Sequence, residues 1–131
     1  MTPQSGAVFR PKALIFDVFG TVVDWRNGIA AECARVFAEK RISTDPHEFA
    51  DLWRAEYQPA MQKVRSGNRG YVSLDTLHLE NLTAALAKTG LGEHFSEDER
   101  ADLNHAWEKL PPWPDSVVGL SAIKQHAIIA P

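Results

Sequence analysis

The stretch that decides the fold reads Ala13-Leu14-Ile15-Phe16-Asp17-Val18-Phe19-Gly20-Thr21. A short apolar run that ends in a glycine turn is typical of a strand buried on both faces of a parallel sheet, and therefore of an α/β protein. Asp17 then follows the carboxyl end of that strand, where open α/β sheets place their ligands. A carboxylate held there can act as a nucleophile that forms a covalent intermediate. The alternative is an aspartate that only caps the turn.

The same stretch resembles the first motif of the haloacid dehalogenase-like hydrolases, in which an apolar strand precedes Asp-x-Asp-Gly-Thr. In this chain Phe19 replaces the second aspartate. In the phosphatases of that superfamily the second aspartate protonates an alkoxide leaving group, which an aromatic side chain cannot do. A halide leaves as a stable anion and needs no proton. L-2-haloacid dehalogenases carry Asp-x-Tyr/Phe-Gly-Thr, so the resemblance points to that branch.

Composition excludes several classes of protein. The chain has 131 residues, of which 44% are apolar and 24% charged, as in an ordinary globular protein of one domain or slightly more. The net charge is −3 without a basic cluster, so no nucleic-acid partner is expected. No apolar run reaches the length of about 18 residues that a membrane span needs. The single cysteine, Cys33, rules out an intrachain disulfide and fits a reducing cytoplasm.

Periodicity and capping signals place the other elements. The first dozen residues form a polar lead-in to the first strand. A second strand is predicted to begin at Ala127. Helices are predicted for Ile29–Lys40, from Pro46 with a break at Pro59, for Leu74–Lys88, after the capping box Ser96-x-x-Glu99, and for Ser116–Gln125.

This order of elements predicts an α/β fold with a helical insert directly after the first strand. Residues 8–27 form the first strand and nucleophile loop, residues 28–110 the insert, and residues 111–131 the return hinge, a core helix and the start of a second strand. The insert resembles the four-helix cap of L-2-haloacid dehalogenases. The resemblance thus implies a Rossmann-like parallel core, of which only the first two strands are present.

The number of strands also bears on completeness. A parallel sheet of two strands cannot bury both of its faces. The later motifs of the family, a Ser/Thr-Asn pair, a lysine and late acidic residues, do not appear before Pro131. The chain is therefore expected to be an N-terminal fragment that is inactive and poorly stable by itself.

The resemblance implies roles for the residues of the first motif. Asp17 would be the nucleophile, and Thr21 would hydrogen-bond either its carboxylate or the carboxylate of the substrate. Val18 and Phe19 would complete the substrate-binding loop, with Phe19 as an apolar wall. A simple turn hydroxyl at Thr21 and a core position for Phe19 remain the alternatives.

The insert supplies the other candidates. In the family a cap arginine binds the departing halide, and Arg65 lies at roughly the matching position, with Arg54 and Arg69 as alternatives. Tyr71 resembles the aromatic residue of the halide pocket. A solvated arginine and a packing tyrosine are the alternatives. His78 lies on an apolar helix face and is interpreted as a core residue.

The function that the resemblance implies is hydrolysis of short 2-haloalkanoic acids to 2-hydroxy acids through an aspartyl ester. No metal or cofactor is expected, since the histidines show no metal-ligand spacing. The expected partner is a small halogenated carboxylic acid, and homodimers are frequent in the family. Two alternatives stay open: a magnesium-dependent phosphatase or phosphonatase of the same superfamily, and an inactive truncated module that binds a partner.

Overall fold

The computed structural model describes residue 6 and residues 8–131, so half of the predicted polar lead-in, residues 1–5 and 7, lies outside the described residues. The chain divides into two compact units. The sheet unit consists of Met1–Val23 and Pro112–Pro131, and the helical unit of Asp24–Pro111. None of the helices in the described ranges is long and apolar enough to cross a membrane.

The sheet unit contains two parallel strands, β1 (Ala13–Ile15) and β2 (Ile128–Ala130), with Leu14 opposite Ile129. The helix α6 (Ser116–Lys124) precedes β2 and packs against it. Backbone hydrogen bonds extend the pairing at both ends, from the amide of Phe16 to the carbonyl of Ala130 (2.9 Å) and from the amide of Ile128 to the carbonyl of Lys12 (3.0 Å). This is an α/β arrangement that matches part of a Rossmann-like fold.

The expectation that β1 is buried on both faces is wrong for this chain. Ile15 is 82% exposed and Ala13 is also exposed, whereas Leu14 is half-buried. In the described residues the sheet has two strands, and Leu14 shares a cavity lining with Ile123 of α6. Because side chains alternate between the faces of a strand, a helix on one face leaves the other face open.

The helical unit contains five α-helices in the described chain. Four of these helices begin after a residue whose side chain accepts a hydrogen bond from a backbone amide of the first turn. These N-cap residues are Asp24, Asp45, Ser73 and Ser96. The helices are α1 (Trp25–Lys40), α2 (Pro46–Ala55), α3 (Tyr57–Arg65), α4 (Leu74–Lys88) and α5 (Glu97–Asn104), with short 3₁₀ helices at Gly92–His94 and His105–Glu108.

Helix α1 begins four residues before the predicted start at Ile29. The carboxylate of Asp24 accepts from both the backbone amide and the side-chain amide of Asn27 (3.2 and 2.8 Å), which stabilises an earlier first turn. Gly28 therefore lies inside the helix. A Cβ there would come 2.6 Å from Cδ of Pro111, so this glycine permits Pro111, the last residue of the helical unit, to pack against α1.

The predicted second helix is two helices, so the insert has five rather than four. The chain breaks at Glu56, and Pro59 lies in the first turn of α3, where its missing amide proton costs little. Helix α4 has the predicted bounds and is followed by Gly90 at φ 71°, a conformation that favours glycine. The capping box at Ser96 is confirmed, with both of its reciprocal hydrogen bonds.

An aromatic cluster forms the centre of the helical unit. Phe37 meets Phe49 edge-on at 5.3 Å between ring centroids, and Trp53 meets Trp107 in the same way at 5.5 Å. Trp53 is fully buried, and its indole N–H donates to the carbonyl of His78 at 2.8 Å. Edge-on aromatic pairs add to the free energy that burial provides. The helical unit thus has a core of its own.

Candidate active site

The loop after β1 brings the four candidates of the first motif together. The hydroxyl of Thr21 donates to Oδ2 of Asp17 at 2.7 Å, which fixes the orientation of the carboxylate. Val18 lines an apolar cavity of about 250 Å³ with Phe16 and Ile129. Gly20 adopts φ 92°, a value that other residues rarely reach, and this explains the glycine of the motif.

The internal hydrogen bonds of this loop make it a compact turn. The carbonyl of Val18 accepts from the amides of Thr21, Val22 and Val23 (3.2, 2.9 and 3.2 Å), and the amide of Gly20 donates to the carbonyl of Val23 (2.9 Å). Phe19 also forms a bridge with Val23. The turn returns Thr21 to Asp17, so the carboxylate is held by a residue four positions later.

The chemistry available at this loop is that of a carboxylate beside a hydroxyl. An exposed aspartate with one oriented oxygen can attack an electrophilic carbon and form an ester. Phe19 has no proton to give, so this residue cannot act as a general acid toward a leaving group. The described residues contain no group of three or more His, Cys, Asp or Glu side chains that could hold a metal ion.

The three candidate arginines of the helical unit have different surroundings. Arg65 is exposed and contacts Gln62 and Gln58 at 3.4 and 3.3 Å. Arg69 forms two short hydrogen bonds with Glu80, at 2.6 and 2.8 Å, and this bidentate pairing lowers the pKa of the Glu80 carboxyl. Bidentate pairing of this kind commits a guanidinium to its partner.

Arg54 is half-buried between aromatic rings. Its guanidinium carbon lies 4.3 Å from the ring centroid of Tyr57 and 5.7 Å from that of Trp25, both within the range of a cation–π interaction. The rings hold the guanidinium in place through their faces, so its charge is positioned before any ligand arrives. The spacing Arg54-x-x-Tyr57 is a sequence signal for this contact, which spans the break at Glu56 between α2 and α3.

Tyr71, the other candidate of the insert, is 93% exposed in the segment between α3 and α4. Its proposed contact with a halide remains a prediction. His78, in contrast, is 2% exposed and stacks on Trp107 with 4.3 Å between the ring centroids. It lies in the aromatic cluster of the core.

Burial, and secondarily the positive charge of Arg54, lower the pKa of His78 from 6.5 to about 4. Between these two values the unfolded state binds more protons than the folded state. The free energy of unfolding is therefore expected to fall as the pH drops from about 6.5 to about 4, by an amount on the order of 3 kcal/mol. Urea unfolding at about pH 7.5 and about pH 5 should show about 2 kcal/mol of this loss in the parent chain and not in a His78→Phe variant. An equal loss in both would contradict the assignment.

Comparison with protein-family models found no match, and neither did comparison with curated proteins. Solved structures do match this chain. The defluorinating L-2-haloacid dehalogenase Rha0230 is 46% identical, with a TM-score of 0.90 over 94% of the chain. The L-2-haloacid dehalogenase PA0810 is 33% identical, with a TM-score of 0.82 over 92%. The structural neighbours of this chain are L-2-haloacid dehalogenases.

The chain spans about half the length of these dehalogenases, 54% of Rha0230 and 51% of PA0810. The L-2-haloacid dehalogenase from Xanthobacter autotrophicus, 23% identical with a TM-score of 0.70, shares the fold over 87% of the chain. Another structure of that dehalogenase, 21% identical, holds covalently bound chloropropionic acid. The resemblance to the L-2-haloacid dehalogenases that residues 13–21 indicate is confirmed by the two neighbours that are 46% and 33% identical, and so is the α/β fold.

Proposed function

We propose that this chain contributes to the hydrolytic dehalogenation of short 2-haloalkanoic acids to 2-hydroxy acids. The observation that carries the proposal is the carboxylate of Asp17, oriented by Thr21 at 2.7 Å and followed by an aromatic residue at position 19. The similarity to two L-2-haloacid dehalogenases that are 46% and 33% identical supports it.

The proposed reaction has two steps. An oxygen of the Asp17 carboxylate attacks C2 of the substrate, a carbon–oxygen bond forms, and the carbon–halogen electron pair leaves with the halide. Water then adds to the carbonyl carbon of the resulting ester. The bond between that carbon and the oxygen now attached to C2 breaks. This oxygen takes one proton from the water and leaves as the hydroxyl of the 2-hydroxy acid, the water oxygen remains in the regenerated carboxylate, and the second proton goes to solvent. The leaving halide takes no proton, consistent with Phe19 at this position.

The test measures halide release from L-2-chloropropionate with and without EDTA. It uses the chain itself and an extended chimera, in which residues 1–131 are joined to the part of the Rha0230 dehalogenase that the chain does not match. Release by the chimera that EDTA leaves unchanged is the expected result. In a parallel assay with a phosphate ester or a phosphonate as substrate, magnesium-dependent release of phosphate, without halide release from L-2-chloropropionate, would instead support the phosphatase or phosphonatase alternative.

The third possibility, a truncated binding module, has one observation in its favour. Ile15 and Ile128 of the two strands are 82% and 71% exposed, and exposed strands of this kind favour pairing with another chain. Gel filtration of the chain, together with the halide-release assay, distinguishes the binding-module hypothesis from the enzyme hypothesis. A stable dimer, together with no halide release by the chimera, would favour the binding module over the enzyme.

We further propose that an arginine of the helical unit supplies positive charge for the departing halide. Arg65 is the candidate that its sequence position predicts, but the surroundings favour Arg54, because two aromatic rings hold its guanidinium in place. In the chimera, Arg54→Lys is expected to lower kcat/KM by about 10–100-fold, since an ammonium does not reproduce a planar stacked cation. Arg65→Lys is the matched control, with an expected change below about threefold.

The opposite ranking, with the larger loss in Arg65→Lys, would return the role to Arg65. Near-ultraviolet circular dichroism of both variants checks that the aromatic cluster is intact. This check matters because Arg54 also contributes to packing through Tyr57 and Trp25.

A further inference from the structure

The nucleophile loop, residues 17–23, accepts hydrogen bonds from another part of the chain at two of its backbone carbonyl groups. Its internal hydrogen bonds use the carbonyls of Val18 and Val23. The carbonyls of Gly20 and Val22, on either side of Thr21, accept instead from the segment that follows the helical unit in the chain. Both ends of these contacts belong to the sheet unit.

Two residues of this return segment make the contacts. The backbone amide of Trp113 donates to the carbonyl of Val22 at 3.1 Å, and its indole Nε1–H donates to the carbonyl of Gly20 at 3.0 Å. The hydroxyl of Ser116, in the first turn of α6, donates to the carbonyl of Val22 at 2.6 Å. The amide of Ser116 in turn donates to the carbonyl of Trp113 at 3.0 Å, so the two donors are fixed relative to each other.

The consequence for the site follows from the position of Thr21. Its neighbours on both sides are tethered through their carbonyls, and its hydroxyl orients Oδ2 of Asp17. A displacement of the Gly20–Val22 backbone would therefore move the hydroxyl that orients the nucleophile. Misplacement of a reacting group by about 1 Å can cost about 100-fold in rate.

We propose that Trp113 and Ser116 are positioning residues for the Asp17 nucleophile. The inference rests on the proposed dehalogenase function. The indole N–H and the hydroxyl act through the backbone of the loop and do not touch the substrate. Trp113 also carries a large apolar ring, so its positioning role must be separated from its contribution to packing.

Matched variants make that separation. Trp113→Phe removes the indole N–H and keeps an aromatic ring. Ser116→Ala removes the hydroxyl, whereas Ser116→Thr retains one and should rescue the function. Val118→Ala, at an exposed position of the same helix, is the control that changes an apolar side chain without touching the loop.

In the extended chimera, Trp113→Phe and Ser116→Ala are each expected to lower kcat by about 10–100-fold while KM stays within about threefold. Ser116→Thr and Val118→Ala are expected to retain the parent kcat within about threefold. A fall in kcat that Ser116→Thr shares with Ser116→Ala, or an unchanged kcat in both Trp113→Phe and Ser116→Ala, would overturn the proposal.

Hydrogen exchange in the chain itself gives an independent readout. In Trp113→Phe, the amides of residues 18–23 should exchange faster, while those of the helical unit keep their parent rates. If the parent chimera releases no halide, the dehalogenase function fails, and exchange in this loop still decides whether the tether holds it. Parent-like exchange in residues 18–23 would overturn the tether whatever the activity.

Discussion

Replacing Asp17 by asparagine is expected to lower halide release by the extended chimera at least about 10³-fold, because the amide cannot attack C2 as a carboxylate does. The Thr21 hydroxyl can still donate to the amide oxygen, so the loop should keep its conformation. The measurement is kcat for L-2-chloropropionate at saturating substrate, together with mass spectrometry of the peptide that contains residue 17. In the parent, that peptide should carry the 1-carboxyethyl group of the substrate, bound through C2, when the reaction is stopped during turnover.

Asp115→Asn is the matched control for charge. Asp115 carries the second acidic side chain of the sheet unit, it is exposed, and it makes no capping hydrogen bond to α6. This variant is expected to keep the parent kcat within about threefold. Equal losses in the two variants would mean that net charge, and not a nucleophile at position 17, determines the rate.

Replacing Trp53 by alanine is expected to lower the free energy of unfolding by about 3–5 kcal/mol. The side chain is fully buried between Phe49 and Trp107 and loses these contacts together with its hydrogen bond to the carbonyl of His78. Trp53→Phe, which keeps a ring but removes that donor, should lie between the parent and the alanine variant. Urea unfolding followed by near-ultraviolet circular dichroism measures both.

The neighbouring residue provides the control for this prediction. Leu52 is in the same helix but 40% exposed, so Leu52→Ala is expected to cost about 1 kcal/mol or less. A loss for Leu52→Ala as large as that for Trp53→Ala would show that α2 does not dock through the face that buries Trp53. The chain is also predicted from its sequence to be poorly stable, and the parent unfolding curve in this experiment measures that property directly.

Local signals in the sequence were sufficient for much of the fold. Helix α4 has the predicted bounds because Ser73 at its start and Gly90 after its end both act through nearby backbone groups. The start of α1 differs from the prediction, which takes residues 22–28 as a turn and linker, because the carboxylate of Asp24 caps an earlier first turn. The packing of Pro111 against Gly28 is a long-range contact that periodicity does not reveal.

In the candidate site too, local contacts could be predicted from the sequence and long-range contacts could not. Asp17 and Thr21 could be paired from the motif, since the turn that joins them is local. The stacking of Arg54 on Trp25 depends on the packing of α2 against α1. The hydrogen bond from Trp113 to Gly20 joins two residues that precede and follow the helical insert in the sequence. Such contacts depend on tertiary structure. A single sequence shows which residue types are present, but it does not show which of them contact each other.

The pairing of β1 with β2 also has a consequence for the order of folding. Ala13 lies opposite Ile128, so closing the sheet from an unfolded chain requires a loop on the order of 100 residues. The amide of Asp24 donates to the carbonyl of Pro111 at 2.8 Å, so the folded helical unit already holds its two ends together. The remaining loop is then several times shorter, which lowers the entropy cost of closure by about 1 kcal/mol. Helix formation and the helical core should therefore precede strand pairing, and substitutions in that core should slow formation of the sheet that they do not touch.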